Sequence, residues 1–211
     1  MHQDLSLYKD FLDDKLKNGK ITPKILFNNC AFLNENSKLA PAFYDNTWST
    51  IYHHLGDIYK SQSICEVNFS LGLFPYAFLR KKSDLQSFVG FYPKNEKDNL
   101  TIPKRLGIAN IKKKAKNCNF YLHVGNLYDD AFYGELNKNR FDLLIFSELN
   151  SYNKTLEMLD FFYPFVLETG LIILEEYKNK EVKEAMDAFC SSKNKVPYVF
   201  KTRYGTAILQ K

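Results

Sequence analysis

From about residue 61 onward, short apolar runs alternate with longer polar stretches, and no other feature of the chain constrains its fold as strongly. A strand buried on both faces reads as a continuous apolar run, and parallel neighbours need a crossover of a dozen or more residues, usually a helix. The runs at 63–67, 88–91, 119–124, 141–146 and 171–174 fit that description. The stripe Leu156, Leu159, Phe162, Phe165 and Val166 predicts a helix over 153–167, between the fourth run and the fifth. Two last runs, 196–202 and 206–209, are parted by Tyr204-Gly205 and predict an antiparallel terminal pair. The pattern predicts an α/β fold with a mostly parallel sheet. Ligands of such sheets bind beyond the carboxyl ends of the strands, which directs attention to 66–72, 92–95, 125–128, 147–152 and 175–177.

The first sixty residues differ. Leu5, Leu7, Tyr8, Phe11, Leu12 and Leu16 recur at helical spacing after a capping Asp4, and Asn18-Gly19 ends the pattern. A second helix is predicted over 47–60. The expected organisation is a helical cap over 1–60 followed by a domain over 61–211.

Composition narrows the function classes. Hydrophobic residues at 45% and charged residues at 25% match a globular chain and exclude a largely disordered one. The net charge of +5 comes almost wholly from Lys, with only four arginines, and Lys is a poor bidentate reader of bases or phosphate. A nucleic-acid partner is therefore disfavoured, and Lys112, Lys113, Lys114 and Lys116 are expected on a solvated helix face. Cys30, Cys65, Cys118 and Cys190 form no C-x-x-C pair and are expected as free thiols in a reducing compartment. With no leader pattern and no apolar run near roughly 18 residues, the expectation is a soluble cytoplasmic protein with no membrane contact. No Walker loop, G-x-S-x-G elbow or H-E-x-x-H is present.

The stretch Phe-Asp-Leu-Leu-Ile-Phe-Ser-Glu-Leu-Asn-Ser-Tyr at 141–152, the helix after it, and Glu-Thr-Gly-Leu-Ile-Ile-Leu-Glu-Glu-Tyr at 168–177 resemble class I S-adenosylmethionine (SAM)-dependent methyltransferases, closest to the small-molecule O-methyltransferase type. The final Tyr-Gly-Thr-Ala-Ile-Leu is similar to that family's last strand, and the likeness runs over about 61–211. It implies a Rossmann-like sheet of seven strands, the last antiparallel, with SAM as cofactor, and the helices of 1–60 are expected to cap its cleft.

The resemblance also implies a site. Glu66, Asn68, Ser70 and Gly72 stand at the first cofactor loop, with Asn68 and Ser70 where the family has glycines. Tyr92 stands where an acid receives the ribose hydroxyls, Asn126 stands over the adenine, and Ser147 replaces an Asp. Glu148, Asn150 and, from the cap, His54 are the catalytic candidates; Glu148, Glu175 and Glu176 are those for Mg²⁺. Plain structural roles compete at each position: a paired carboxylate for Glu66, pocket filling for Tyr92, turn chemistry for Asn126 and strand packing for His123. Two function classes follow. One is a methyltransferase acting on a small hydroxyl-bearing or otherwise nucleophilic acceptor; the other is an inactive methyltransferase-like protein serving as a module that binds a protein partner or supports assembly.

Overall fold

The computed structural model describes residues 5–27, 45–69, 71–79, 84–93 and 101–211, the side chains of 101–104 excepted. Helices α1 (Leu5–Asn18), α2 (Pro23–Leu26) and α3 (Asn46–Ile58) precede the alternating part. Then come β1 (Ser63–Val67), α4 (Leu73–Phe78), β2 (Ser87–Pro93), α5 (Thr101–Lys114), β3 (Asn119–Gly125) and α6 (Asp130–Lys138). The chain continues with β4 (Phe141–Phe146), α7 (Tyr152–Phe162), β5 (Val166–Leu174), α8 (Lys180–Ser192), β6 (Tyr198–Phe200) and β7 (Thr206–Gln210). The strands form one seven-stranded sheet in the order β3-β2-β1-β4-β5-β7-β6. Every pairing is parallel except those of β7, which runs antiparallel to both β5 and β6.

The period-two geometry of strands divides the core into two layers. Ile64, Phe88, Leu143, Ile145, Ile173 and Ile208 face α1, α3, α4 and α5. Cys65, Val89, Leu144, Phe146, Ile172 and Leu209 face α6, α7 and α8. Every residue of β4 is buried, which is why that strand reads as an unbroken apolar run around Asp142.

Helix α3 fixes the N-terminal segment. Asp45 accepts a 2.6 Å hydrogen bond from the Trp48 N–H as its cap. Trp48, Ile51, Tyr52, Leu55 and Tyr59 then bury one face in the same apolar layer as the sheet. The Tyr59 hydroxyl donates to the carbonyl of Asp142 at the amino end of β4, while Trp48 and Tyr52 reach Glu175 just beyond β5. The helix therefore runs antiparallel to the central strands. α1 packs beside it, buries Leu5, Tyr8 and Leu12, and donates the Leu5 N–H to Gln210 of β7.

One boundary departs from the periodicity. The helix predicted over 153–167 stops at Phe162; Tyr163–Phe165 makes a single 3₁₀ turn, and Val166 already pairs with Phe141 as the start of β5. Pro164 has no N–H with which to continue the α-helix, so the apolar Val166 goes to the sheet and not to the stripe. Lys112, Lys113 and Lys116 are exposed, whereas Lys114 places its ammonium 4.5 Å from the centre of the Tyr76 ring. Cys65, Cys118 and Cys190 are free thiols; Cys30 lies outside the described residues. Among the described residues no helix is long and apolar enough to cross a membrane.

Candidate active site

The strand order reverses between β1 and β4, the switch point beyond whose carboxyl ends an open α/β sheet takes its ligand in a crevice. Three adjacent strands leave the sheet through non-glycine residues with positive φ: Asn68 (+62°) after β1, Glu148 (+57°) after β4 and Glu176 (+60°) after β5. Left-handed backbone costs a non-glycine residue on the order of 1 kcal/mol or more, and such residues cluster at functional sites. Asn tolerates the conformation best, and Asn68 uses it to send its amide across the crevice, donating to the Ser147 carbonyl at 2.6 Å. Ser147 is 2% exposed and donates its hydroxyl back to the Val67 carbonyl at 3.2 Å. These two residues cross-link the ends of β1 and β4.

Around that cross-link stand carboxylates. Glu66, on β1, is 1% exposed and its Oε2 has no hydrogen-bond partner. Burial, then the charge of Glu148, raises its pKa well above the ordinary carboxyl value. Glu176 accepts backbone N–H groups of Glu148 and Leu149, yet its own Oε2 is also buried without a partner. Burial, then the charges of Glu175 and Glu148, pushes it up to about 8. Glu148 and Asn150 are exposed on the loop between β4 and α7.

A second concavity, of about 470 Å³, lies past the ends of β2 and β3 and is lined by Phe91, Gly125, Asn126, Tyr128, Glu157 and Met158 among others. Asn126 closes a turn in which its Oδ1 accepts the Tyr128 N–H at 3.1 Å. The Tyr128 hydroxyl donates to Glu157 at 2.8 Å and braces the rim. His123 stacks against Phe91 and Phe132 and sits 3.0 Å from the Asn126 carbonyl, a packed strand histidine. Tyr92 is half-buried at the end of β2.

Several expected residues stand elsewhere or do other work. His54 lies on the face of α3 opposite the sheet, with Nε2 2.8 Å from the Gly19 carbonyl and Nδ1 3.2 Å from Asp57, so it is not a residue of the crevice. Its position follows from helical periodicity, since 48, 52, 55 and 59 take the inward face. Glu175 is no metal ligand here, because both of its oxygens are committed. Oε1 accepts from the Tyr52 hydroxyl (2.7 Å) and the Trp48 indole (3.3 Å), and Oε2 accepts from Thr206 (2.9 Å). It is pushed up to about 7, by burial first, against the opposing effect of those three donors. Among the described residues, the three-ligand grouping within 4.8 Å is His53, His54 and Asp57, not Glu148, Glu175 and Glu176. The expected Mg²⁺ site is thus not formed by the residues assigned to it.

Gly72 (φ +60°) starts α4 with its missing side chain directed at Gly107 of α5, whose carbonyl would lie 3.0 Å from a Cβ. It serves close helix packing. Ser70 lies outside the described residues. Sequence reasoning marked Tyr128 only by its place in 125–128, and it passed over Glu157 and Met158, since nothing in the pattern of α7 marks its first turns as a groove wall. It also passed over Trp48, Tyr52 and Thr206, which claim Glu175 from far away in the chain.

No protein-family model and no curated protein matches the sequence. Solved structures do match. An O-methyltransferase from Bacillus cereus, in complex with S-adenosylhomocysteine (SAH), is 9% identical with a TM-score of 0.62, over 99% of this chain and 100% of that one. The O-methyltransferase TomG from Streptomyces achromogenes, involved in tomaymycin synthesis and in complex with SAM, is 9% identical with a TM-score of 0.61, over 99% and 98%. CalS11, a TDP-rhamnose 3′-O-methyltransferase of calicheamicin biosynthesis, is 18% identical with a TM-score of 0.56, over 100% and 96%. At these identities the likeness establishes architecture. Together with the strand order and the antiparallel β7, it shows that this chain has the fold of class I SAM-dependent methyltransferases.

Proposed function

We propose that the protein is a SAM-dependent methyltransferase acting on a small hydroxyl-bearing acceptor without a metal ion. The observation that carries this reading is the buried, unpartnered Oε2 of Glu66, facing the Glu148 charge beside a left-handed Asn68. An orphaned carboxylate oxygen among like charges is costly unless a cation joins it. The ligand suited to it carries positive charge, and SAM carries an ammonium and a sulfonium.

The fit is good at the two ends of that ligand. Glu66 would receive the ammonium, and the groove at Phe91, Asn126 and Met158 would take the adenine. The middle is poorer, because a Tyr92 phenol cannot accept from both ribose hydroxyls as a carboxylate does. When bound, the cofactor supplies an electrophilic methyl group on sulfur. The chain's task is then to place the acceptor in line and take its proton. Glu176 has a free buried oxygen and a pKa near 8, which suits a base at neutral pH. Glu148 and Asn150, exposed on the same loop, would orient the acceptor.

One observation favours the second reading, a partner-binding module that has lost the cofactor. The Asn68 amide spans from β1 to the Ser147 carbonyl across the crevice that the methionine end would enter. Calorimetric titration with SAH separates the two readings. Micromolar affinity, worth about 8 kcal/mol, is expected for the enzyme. No heat and no thermal shift at millimolar ligand would overturn that reading and support the module.

A further inference from the structure

The outer face of α3 holds a group that the crevice does not use. His53, His54 and Asp57 each offer one ligand atom, and the three atoms lie within 4.8 Å of one another. His53 and Asp57 are four residues apart, so they share a face, and the His53 and His54 rings are 4.9 Å apart between centres.

The orientation of His54 is determined by its neighbours. Its Nε2 lies 2.8 Å from the Gly19 carbonyl oxygen, which can only accept, so Nε2 carries a proton. Gly19 permits the approach; a Cβ there would stand 3.2 Å from that nitrogen. In a neutral imidazole Nδ1 is then a lone pair, and it lies 3.2 Å from the Asp57 Oδ2. A ring nitrogen and a carboxylate oxygen at that range are held together by a cation between them, either a proton or a metal ion. Two ligand atoms bound at about 2.0–2.2 Å to one tetrahedral ion stand about 3.3–3.6 Å apart, close to that separation. A ring N–H donated to a backbone carbonyl is also the outer contact that usually orients a metal-binding histidine.

We propose that His53, His54 and Asp57 form a site for a divalent transition-metal ion of the Zn²⁺ class, on the side of α3 away from the catalytic crevice. Two imidazoles and one carboxylate suit such an ion and leave a position for water. Because the Gly19 carbonyl holds His54, and the Ile21 N–H donates to Thr50 of α3 at 2.9 Å, the ion would fasten α3 to the turn after α1.

The test uses the full chain, stripped with chelator and dialysed, then titrated with Zn²⁺ near neutral pH. One ion per chain is expected at about micromolar Kd, with a rise in Tm that EDTA reverses. His53 is half-buried and Asp57 exposed, so His53→Ala and Asp57→Asn are suited to leave the fold intact, which circular dichroism would check. Each should weaken Zn²⁺ binding about tenfold or more and abolish the Tm rise. Absence of stoichiometric binding at about a hundred times that Kd would overturn the proposal. Binding retained unchanged by both variants would overturn it too, by placing the ion elsewhere.

Discussion

The two ends of the central strands each bury a carboxylate, and the two are treated in opposite ways. At the amino ends Asp142 of β4 is 4% exposed and fully used: it accepts from the Ser61 hydroxyl and from the N–H groups of Gln62 (2.6 Å) and Ser63 (3.2 Å). That cluster ties β4 to the start of β1. At the carboxyl ends Glu66 of β1 is as deeply buried, yet one oxygen lacks a donor and its neighbour is another acid. The backbone differs in the same sense, since the left-handed exits Asn68, Glu148 and Glu176 all gather at the carboxyl ends. One end is built for stability. The other holds unspent electrostatic and conformational cost, which a bound cation would relieve.

The comparison can be broken most directly at Asp142. Asp142→Ala should lower stability by about 3 kcal/mol in urea unfolding, because buried donors lose their acceptor. A loss near zero would remove the contrast.

The pH dependence is the next largest effect. Glu175 and Glu176 have pKa values raised to about 7 and about 8 from an ordinary 4.5, so the native state holds their protons after the unfolded chain has released them. The stability this contributes is present in full below about 4.5, declines as pH rises, and is gone above about 8. We expect stability to fall between the two limits, and Glu176→Gln to flatten that fall. Urea midpoints across that range would show it.

Glu66→Gln sharpens the contrast from the other side. It removes a buried acid that is costly to ionise beside Glu148, and should stabilise the free protein by about 1 kcal/mol at any pH where Glu66 is ionised, while weakening SAH binding tenfold or more. A variant that loses stability would make Glu66 a structural carboxylate like Asp142. The smallest effect is expected at the ribose position, where Tyr92→Asp should tighten SAH binding by about threefold to tenfold. An unchanged affinity would show that the sugar is held elsewhere.

Much of the fold was legible before any coordinates. The runs at 63–67 and 141–146 coincide with β1 and β4, and the terminal pair is antiparallel, because strands buried on both faces leave short unbroken apolar runs between polar stretches. The predicted helix over 153–167 ran past its end because Phe165 and Val166 satisfy helical spacing and strand burial equally well, and Pro164 decides between them. The site was legible as a place more than as a set of roles. The strand ends are where the carboxylates and the groove lie, but Glu175 and His54, both plausible by position, were claimed by distant partners.

By itself, then, the sequence determined the strand-helix alternation, the strand ends where a ligand would bind and the residue types found at them, since these follow from local periodicity and chain order, whereas the switch point between β1 and β4 came from the strand pairing. Only the tertiary structure decided which acids are satisfied and which are not. Hydrogen-bond satisfaction depends on groups far apart in the chain, such as Tyr52 and Thr206 meeting at Glu175, and a one-dimensional pattern carries no record of those meetings.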